Sequence, residues 1–309
     1  MNKQTAGIHH ITAIVGHPQE NVDFYAGVLG LRLIKQTVNF DDPTTYHLYF
    51  GNEQGSPGTI ITFFPWPNAY KGRIGDGQVG VTSYAVPVGA LPFWEARFNS
   101  YNIAFTKTER FGETVLQLDD LHGLHIELVE RAEGDNNTWA FNGVTADTAI
   151  KGFAGATLYS SAPAETVKTV MDVMGLTEGE VAGNEQRFVL PNGQTVDVKM
   201  TTGEAGTMGV GTVHHIAWRA ADDTDHAQWR EHVQSFGEHV TPIKDRNYFN
   251  ALYFREKGHI LFEIATDGPG FAHDESLETM GEALMLPPQY EAKRAELMEK
   301  LAAFTVRTV

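Results

Sequence analysis

The 309-residue chain contains no cysteine. That absence removes disulfides, thiolate metal ligands, iron–sulfur clusters and cysteine nucleophiles together, so any metal must be held by histidine and carboxylate. Basic residues are also scarce: 23 Lys and Arg stand against 39 Asp and Glu, a formal charge of −16. A field of that sign repels a phosphate backbone, and nucleic acid is not expected as a partner. No stretch approaches the roughly 18 apolar residues of a membrane span, and the opening Met1-Asn2-Lys3-Gln4-Thr5-Ala6-Gly7 has no apolar core or small-residue cleavage pattern. The expectation is a soluble, cytoplasmic protein without a membrane partner. What is present, 42% hydrophobic and 20% charged residues, suits a globular chain of one large or two ordinary domains.

Four related segments follow one another. The first opens Gly7-Ile8-His9-His10-Ile11-Thr12, with a helix predicted over residues 18–29 ending at Gly30-Leu31 and strands over 47–50 and 59–64. The second starts at Gly80-Val81-Thr82-Ser83-Tyr84, with a helix over 92–99 and a last strand over 124–129. The third starts at Gly152, with a helix over 163–174 and a strand over 195–198. The fourth opens Gly211-Thr212-Val213-His214-His215-Ile216, with a helix over 223–236 and strands over 250–254 and 259–265. Each reads strand, helix, then about three strands, an α+β βαβββ module. One such module leaves sheet edges open, so four should assemble as two pairs. Expected bounds are two modules in residues 1–145, two in 146–270, and a tail over 271–309. A helical run from Pro287-Pro288 to Leu301 should place Leu297 and Leu301 on one face of a closing helix.

Strand alternation separates neighbouring histidines. His9, Ile11, Ala13 and Val15 share one face, which should lie on the helix, leaving His10 in the concave side. The same argument turns His215 inward and His214 outward. In the last strand Ile260, Phe262 and Ile264 belong to the core, and His259, Leu261 and Glu263 to the cup. One strand earlier Tyr253 faces the cup, with Tyr49 its counterpart in the first copy. Two imidazoles and one carboxylate, His10, His215 and Glu263, form a facial triad that holds a divalent metal and leaves positions open for substrate and oxygen. Fe(II) is the leading candidate and Mn(II) the second; Zn(II) fits the same ligands with water in the open position.

A single histidine is usually an ordinary core or surface residue. Here the His-His pair recurs in register in copies one and four, whereas Ser83 and Gly155 take the place of His10 in copies two and three. Phe63 takes the place of Glu263 in the first copy, which limits the ligand set to three. Glu127 and Asp197, without partner histidines, read as strand-edge solubility or structural hydrogen bonding.

These segments, together with Asp23-Phe24-Tyr25, the run from Asp245-Arg246 to Arg255, Phe262-Glu263-Ile264-Ala265-Thr266-Asp267 and Leu286-Pro287-Pro288, resemble the vicinal oxygen chelate superfamily, and within it the hydroquinone-type ring-cleaving dioxygenases. The resemblance covers nearly the whole chain. It implies a metal on His10, His215 and Glu263, and a metal-bearing pair made of copies one and four beside an empty pair of two and three. It also implies Tyr253 as a hydrogen-bond donor, His214 as an acid or base despite its outward parity unless a bulge intervenes, and Arg246 as a partner for an anionic phenolate.

The expected reaction is oxygen insertion into a 1,4-dihydroxybenzene with ring opening, the partners being a small aromatic substrate and O2. Thr12, His47 and Tyr49, with Tyr253, are expected to line the substrate wall. A catechol extradiol dioxygenase, a glyoxalase-like lyase or isomerase, and a non-catalytic small-molecule binding module are the alternatives. The number of subunits is not fixed by the sequence, and a homo-oligomer is compatible with it.

Overall fold

The structure, a computed structural model, describes residues 3–309; Met1 and Asn2, part of the opening segment considered above, lie outside the described residues. Module one comprises β1 (Ile8–Val15), α1 (Pro18–Val22) continuing as a π-helical turn (Asp23–Val28), β2 (Arg32–Val38), β3 (Tyr46–Gly51) and β4 (Ile60–Pro65). Module two comprises β5 (Gln78–Val86), α2 (Leu91–Ser100), β6 (Phe105–Arg110), β7 (Glu113–Asp119) and β8 (His125–Glu130). Module three comprises β9 (Gly152–Tyr159), α3 (Pro163–Lys168) continuing as a π-turn (Thr169–Val173), β10 (Thr177–Ala182), β11 (Glu185–Val189) and β12 (Thr195–Lys199). Module four comprises β13 (Thr212–Ala220), α4 (Asp223–Ser235), β14 (Lys244–Asp245), β15 (Phe249–Arg255) and β16 (Leu261–Pro269).

The elements begin and end where local chemistry requires. Asp222 accepts the Asp225 amide at 2.8 Å and caps α4. Gly30, at φ 70°, closes the first helix in the left-handed conformation that its missing Cβ permits. The first helix is not α-helical throughout: Leu29 N bonds Phe24 O at 2.8 Å, five residues back. The widened turn sets Phe24 and Tyr25 on the sheet, with the Tyr25 ring 4.4 Å from that of Phe63.

In each module the first strand pairs parallel with the last, and the modules join through antiparallel pairing of first strands, β1 with β13 and β5 with β9. The result is two curled eight-stranded sheets, β14-β15-β16-β13-β1-β4-β3-β2 and β10-β11-β12-β9-β5-β8-β7-β6. Modules one and four share a sheet, as do two and three, so each half of the chain gives one module to each sheet. The helices and the convex faces share one apolar core, in which Trp94, Trp218 and Trp229 are fully buried.

Four bulges determine what faces the cups. In β1·β13, Ile8 pairs with Trp218 and His10 with Ala217, which leaves His9 as the extra residue; Thr12 pairs with His215 and Ala13 with Val213, which leaves His214. By the same count Gly80 and Ala154 are the extra residues of β5·β9. Each bulge is followed by one equivalent place: His10, Val81, Gly155, His215. Val81, not Ser83, therefore holds the histidine place in module two, because the bulge at Gly80 displaces the alignment read from Gly-Val-Thr-Ser. Two residues further on, the pairs are Thr12–Thr62, Ser83–Glu127, Thr157–Asp197 and Ala217–Glu263. Thr62, not Phe63, is thus the counterpart of Glu263, and Phe63 points into the helix-side core.

His259 lies outside β16, in a turn at φ 71°. The expected single closing helix is two short ones, α5 (Pro288–Glu291) and α6 (Arg294–Lys300), separated at Lys293 (φ −105°, ψ 9°). Leu297 and Leu301 still pack together, against Val38 and Leu286 at the end of β2. Earlier in the tail, Phe271 and Met280 join Ile34, Tyr49 and Tyr248 in filling part of the first cup. Buried Lys35 fastens this segment through ion pairs to Asp274, at 2.6 Å, and to Glu275. Among the described residues no helix is long and apolar enough to cross a membrane.

Candidate metal centre and substrate cavity

β1 supplies His10, β13 supplies His215, and β16, beside β13, supplies Glu263. His10 Nε2 lies 3.2 Å from His215 Nε2, and Glu263 Oε2 lies 2.8 Å from His215 Nε2 and 3.6 Å from His10 Nε2. All three side chains are buried, Glu263 completely. Neither Glu263 oxygen has an aligned hydrogen-bond donor, although His215 Nε2 is close. Burial pushes this carboxyl up, yet the two imidazoles hold it well below the usual carboxylate range. A buried carboxylate without donors, faced by two imidazole nitrogens, is costly unless a cation sits among them. The donor set fits a divalent first-row metal, and the three ligand atoms lie within 4.8 Å of one another.

The bulges also explain why both members of each histidine pair approach the centre. His9 Nδ1 lies 2.9 Å from His10 Nδ1, and His214 Nδ1 lies 2.8 Å from His215 Nδ1. If Nε2 of His10 and of His215 offers its lone pair to a metal, the proton of each ring sits on Nδ1 and is donated to the neighbouring histidine. His9 and His214 then carry their protons on Nε2. Burial drives the His214 imidazole down to about 3, so it is neutral near pH 7. His214 lines the cavity. The outward orientation expected from alternation is thereby corrected, since the bulge at His214 breaks that alternation.

A cavity of about 300 Å³ opens onto the centre, lined in part by Phe40, Phe64, Trp66 and Phe249. Tyr253, Tyr49, His47 and Arg246 also reach it. Arg246 Nε donates to Tyr253 Oη at 3.1 Å, and its Nη2 bonds Asp41 Oδ2 at 3.0 Å. Burial pushes the Tyr253 phenol far up, so it stays protonated. Tyr49 Oη lies 2.7 Å from His47 Nδ1, and His47 Nε2 lies 2.8 Å from Thr62 Oγ1. Burial drives the His47 imidazole well down. Its ring is neutral and both nitrogens are engaged by the protein, which makes it part of the wall rather than a fourth ligand.

Thr12 does not reach the cavity. Fully buried on the cup side, it bonds Thr62 Oγ1 at 2.7 Å beneath His47, whose Nε2 lies 2.8 Å from the same oxygen and whose ring takes the wall position. Phe249 and Phe64 were legible but unread: Phe249 shares the parity of Tyr253, and Phe64 that of Thr62. The turn over residues 39–42, between β2 and β3, carries no signal in the sequence beyond the turn chemistry of Asp42-Pro43.

The second cup has the same frame and different contents. Glu127 and Asp197, at the carboxylate places, are 2% and 3% exposed, which removes the solubility reading. Arg110 Nη2 bonds Glu127 Oε2 at 2.5 Å, and Arg187 grips Asp197 through Nε at 2.8 Å and Nη2 at 2.9 Å. Guanidinium groups supply the positive charge there.

Residues 7–135 match the model of the Glyoxalase/Bleomycin resistance protein/Dioxygenase superfamily. Over 312 residues the chain is 63% identical to the Bacillus subtilis (strain 168) protein named "Putative ring-cleaving dioxygenase MhqO", with 99% of each chain covered. The chain belongs to the family of ring-cleaving dioxygenases. Another relative of this dioxygenase, the chlorohydroquinone/hydroquinone 1,2-dioxygenase of Sphingobium indicum, is 34% identical over 311 residues, 97% of each chain. A crystal structure from Bacillus subtilis subsp. subtilis str. 168 superposes on the dioxygenase with TM-score 0.98 at 62% identity, covering 99% of this chain and all of the other. Glyoxalase I from Zea mays shares the fold at 11% identity, with TM-score 0.61 over 84% of this chain and 92% of its own.

Proposed function

We propose that the protein is a non-haem Fe(II)-dependent dioxygenase that opens the ring of hydroquinones, 1,4-dihydroxybenzenes with or without substituents, by inserting both atoms of O2. The observation that carries this reading is the placement of His10, His215 and Glu263 on one side of an aromatic-walled cavity, with no fourth His or carboxylate ligand among the described residues. A threonine in place of a second carboxylate at residue 62 favours this reading over a lyase of the glyoxalase type.

His10, His215 and Glu263 would hold the metal, which when bound lowers the pKa of a coordinated hydroxyl and lets ring electrons reach O2. The chain's own residues supply the rest. Phe40, Phe64, Trp66 and Phe249 enclose a planar ring and exclude water. Arg246 orients the Tyr253 hydroxyl, which stays protonated and can hand its proton to an oxygen of the substrate. His214, neutral with its proton on Nε2, can hydrogen-bond a second oxygen of the ring or product. For hydroquinone itself, one molecule plus one O2 gives one ring-opened muconic semialdehyde, so no external reductant is consumed.

The test is oxygen uptake by Fe(II)-reconstituted protein against a panel of hydroquinones and catechols, with ring opening followed by absorbance. Stoichiometric uptake with hydroquinones is expected. Ring opening without O2, or turnover of catechols alone, overturns the reading; reconstitution with Mn(II) in parallel assigns the metal.

A further inference from the structure

The wall at residues 39–42 follows directly on β2, and ties from two sides reach it. From within the cup, Arg246 bonds Asp41, but the Asp41 side chain is 68% exposed and such a pair is screened by salt. From outside, the tail crosses the edge of the sheet. Met285 N bonds Gln36 O at 2.9 Å on β2, and Leu286, Leu297 and Leu301 pack on Val38. This contact seats Tyr290, the ring of which is partly buried in the same cluster. Its hydroxyl donates to the Phe40 carbonyl at 2.9 Å. Phe40 in turn lines the cavity and packs with the aromatic group that includes Tyr49 and Phe249.

We propose that Tyr290, a tail residue remote from the metal centre, is a positioning residue of the substrate cavity: by holding the Phe40 carbonyl it fixes the aromatic wall against the bound ring. The role rests on the ring-cleavage reading above, since the ring is that of a hydroquinone. A wall free to swing must be ordered each time substrate binds, and that ordering weakens affinity. The hydroxyl acts on binding and not on the reacting oxygens, so its loss falls on KM.

Tyr290→Phe keeps the ring in its cluster and removes only the hydrogen bond. In the Fe(II)-loaded enzyme, KM for hydroquinone should rise about three- to tenfold, the range of one ordinary hydrogen bond. The kcat should stay within about twofold on the same argument. Anaerobic titration with hydroquinone should show the same loss of affinity, and amide exchange over residues 39–42 should speed up. Arg97→Met removes the α2 hydrogen bonds to the Val28 and Gly27 carbonyls and touches neither Tyr290 nor its cluster; it should lower the thermal midpoint and leave KM near wild type. The assignment falls if Tyr290→Phe lowers only the thermal midpoint, or if Arg97→Met raises KM as much as Tyr290→Phe does. If wild-type enzyme turns over no hydroquinone, the ring-cleavage reading fails instead, and amide exchange over residues 39–42 still tests whether Tyr290 holds the wall.

Discussion

His10 and His215, 205 residues apart in sequence, bring their Nε2 atoms to 3.2 Å of one another across the β1·β13 seam. They meet because first strands of the first and last modules pair antiparallel, and because a bulge precedes each histidine.

Replacing His10, His215 or Glu263 with alanine should cost the protein its metal. Losing a residue that hydrogen-bonds a ligand typically weakens metal affinity about 10- to 100-fold. Loss of a ligand itself should exceed that range. Metal content of the purified variants, beside oxygen uptake, is the measurement; full metal occupancy in His10→Ala would contradict the proposed centre.

Stability should fall as the medium is acidified, and the sign follows from burial. Burial is the chief cause that depresses the imidazoles of His9 and His47 below their ordinary value, so the unfolded chain binds protons that the folded chain does not. Their contribution is complete above about pH 6.5 and is lost as pH drops from there toward the folded values, by up to about 1.4 kcal/mol per pH unit for each group. Glu263, also depressed, acts in the same direction below about pH 4.5. Urea midpoints at pH 7.5, 6.0 and 5.0 on metal-free protein should decline in that order.

Arg97 joins modules one and two. From α2 its Nε donates to Val28 O at 2.6 Å and its Nη2 to Gly27 O at 2.8 Å, which satisfies the carbonyl end of the first helix with a cation. Arg97→Met should destabilise the fold by about 3 kcal/mol, the scale of charged hydrogen bonds lost from a buried site. Chemical denaturation reads the loss, and KM for hydroquinone should not move.

In the second cup, Arg110→Leu would leave Glu127 buried without its cation. Breaking one side of a buried ion pair costs roughly 3–5 kcal/mol. The variant should melt earlier while retaining its metal, since the cluster belongs to the other sheet. Loss of metal on this substitution would show that the two cups are not independent.

The architecture was legible because the Gly-x-His-His opening recurs and every module repeats one strand order. The three candidate ligands were legible for the same reason: recurrence at the two ends of the chain marked His10 and His215, and alternation in β16 marked Glu263. Bulges set the limit of that reading. An extra residue at His9, Gly80, Ala154 or His214 resets alternation within a strand, and this is why His214 reaches the cavity against its parity and Val81 rather than Ser83 holds the histidine place; Thr12 keeps its inward parity and is screened from the cavity by Thr62 and His47. Phe63 was misplaced by one residue for a related reason: its position depends on register with β1, which only the folded sheet defines. The Tyr290–Phe40 contact joins positions 250 residues apart, and no local pattern announces it.

Joining the first module to the fourth carries a consequence for biogenesis. A nascent chain that has released only its first three modules holds His10 of the three candidate ligands, and neither His215 nor Glu263 exists yet. If these three side chains hold the ion, its capture would follow the arrival of the fourth module rather than nucleate folding, and metal uptake timed against refolding should trail the burial of β13 beside β1.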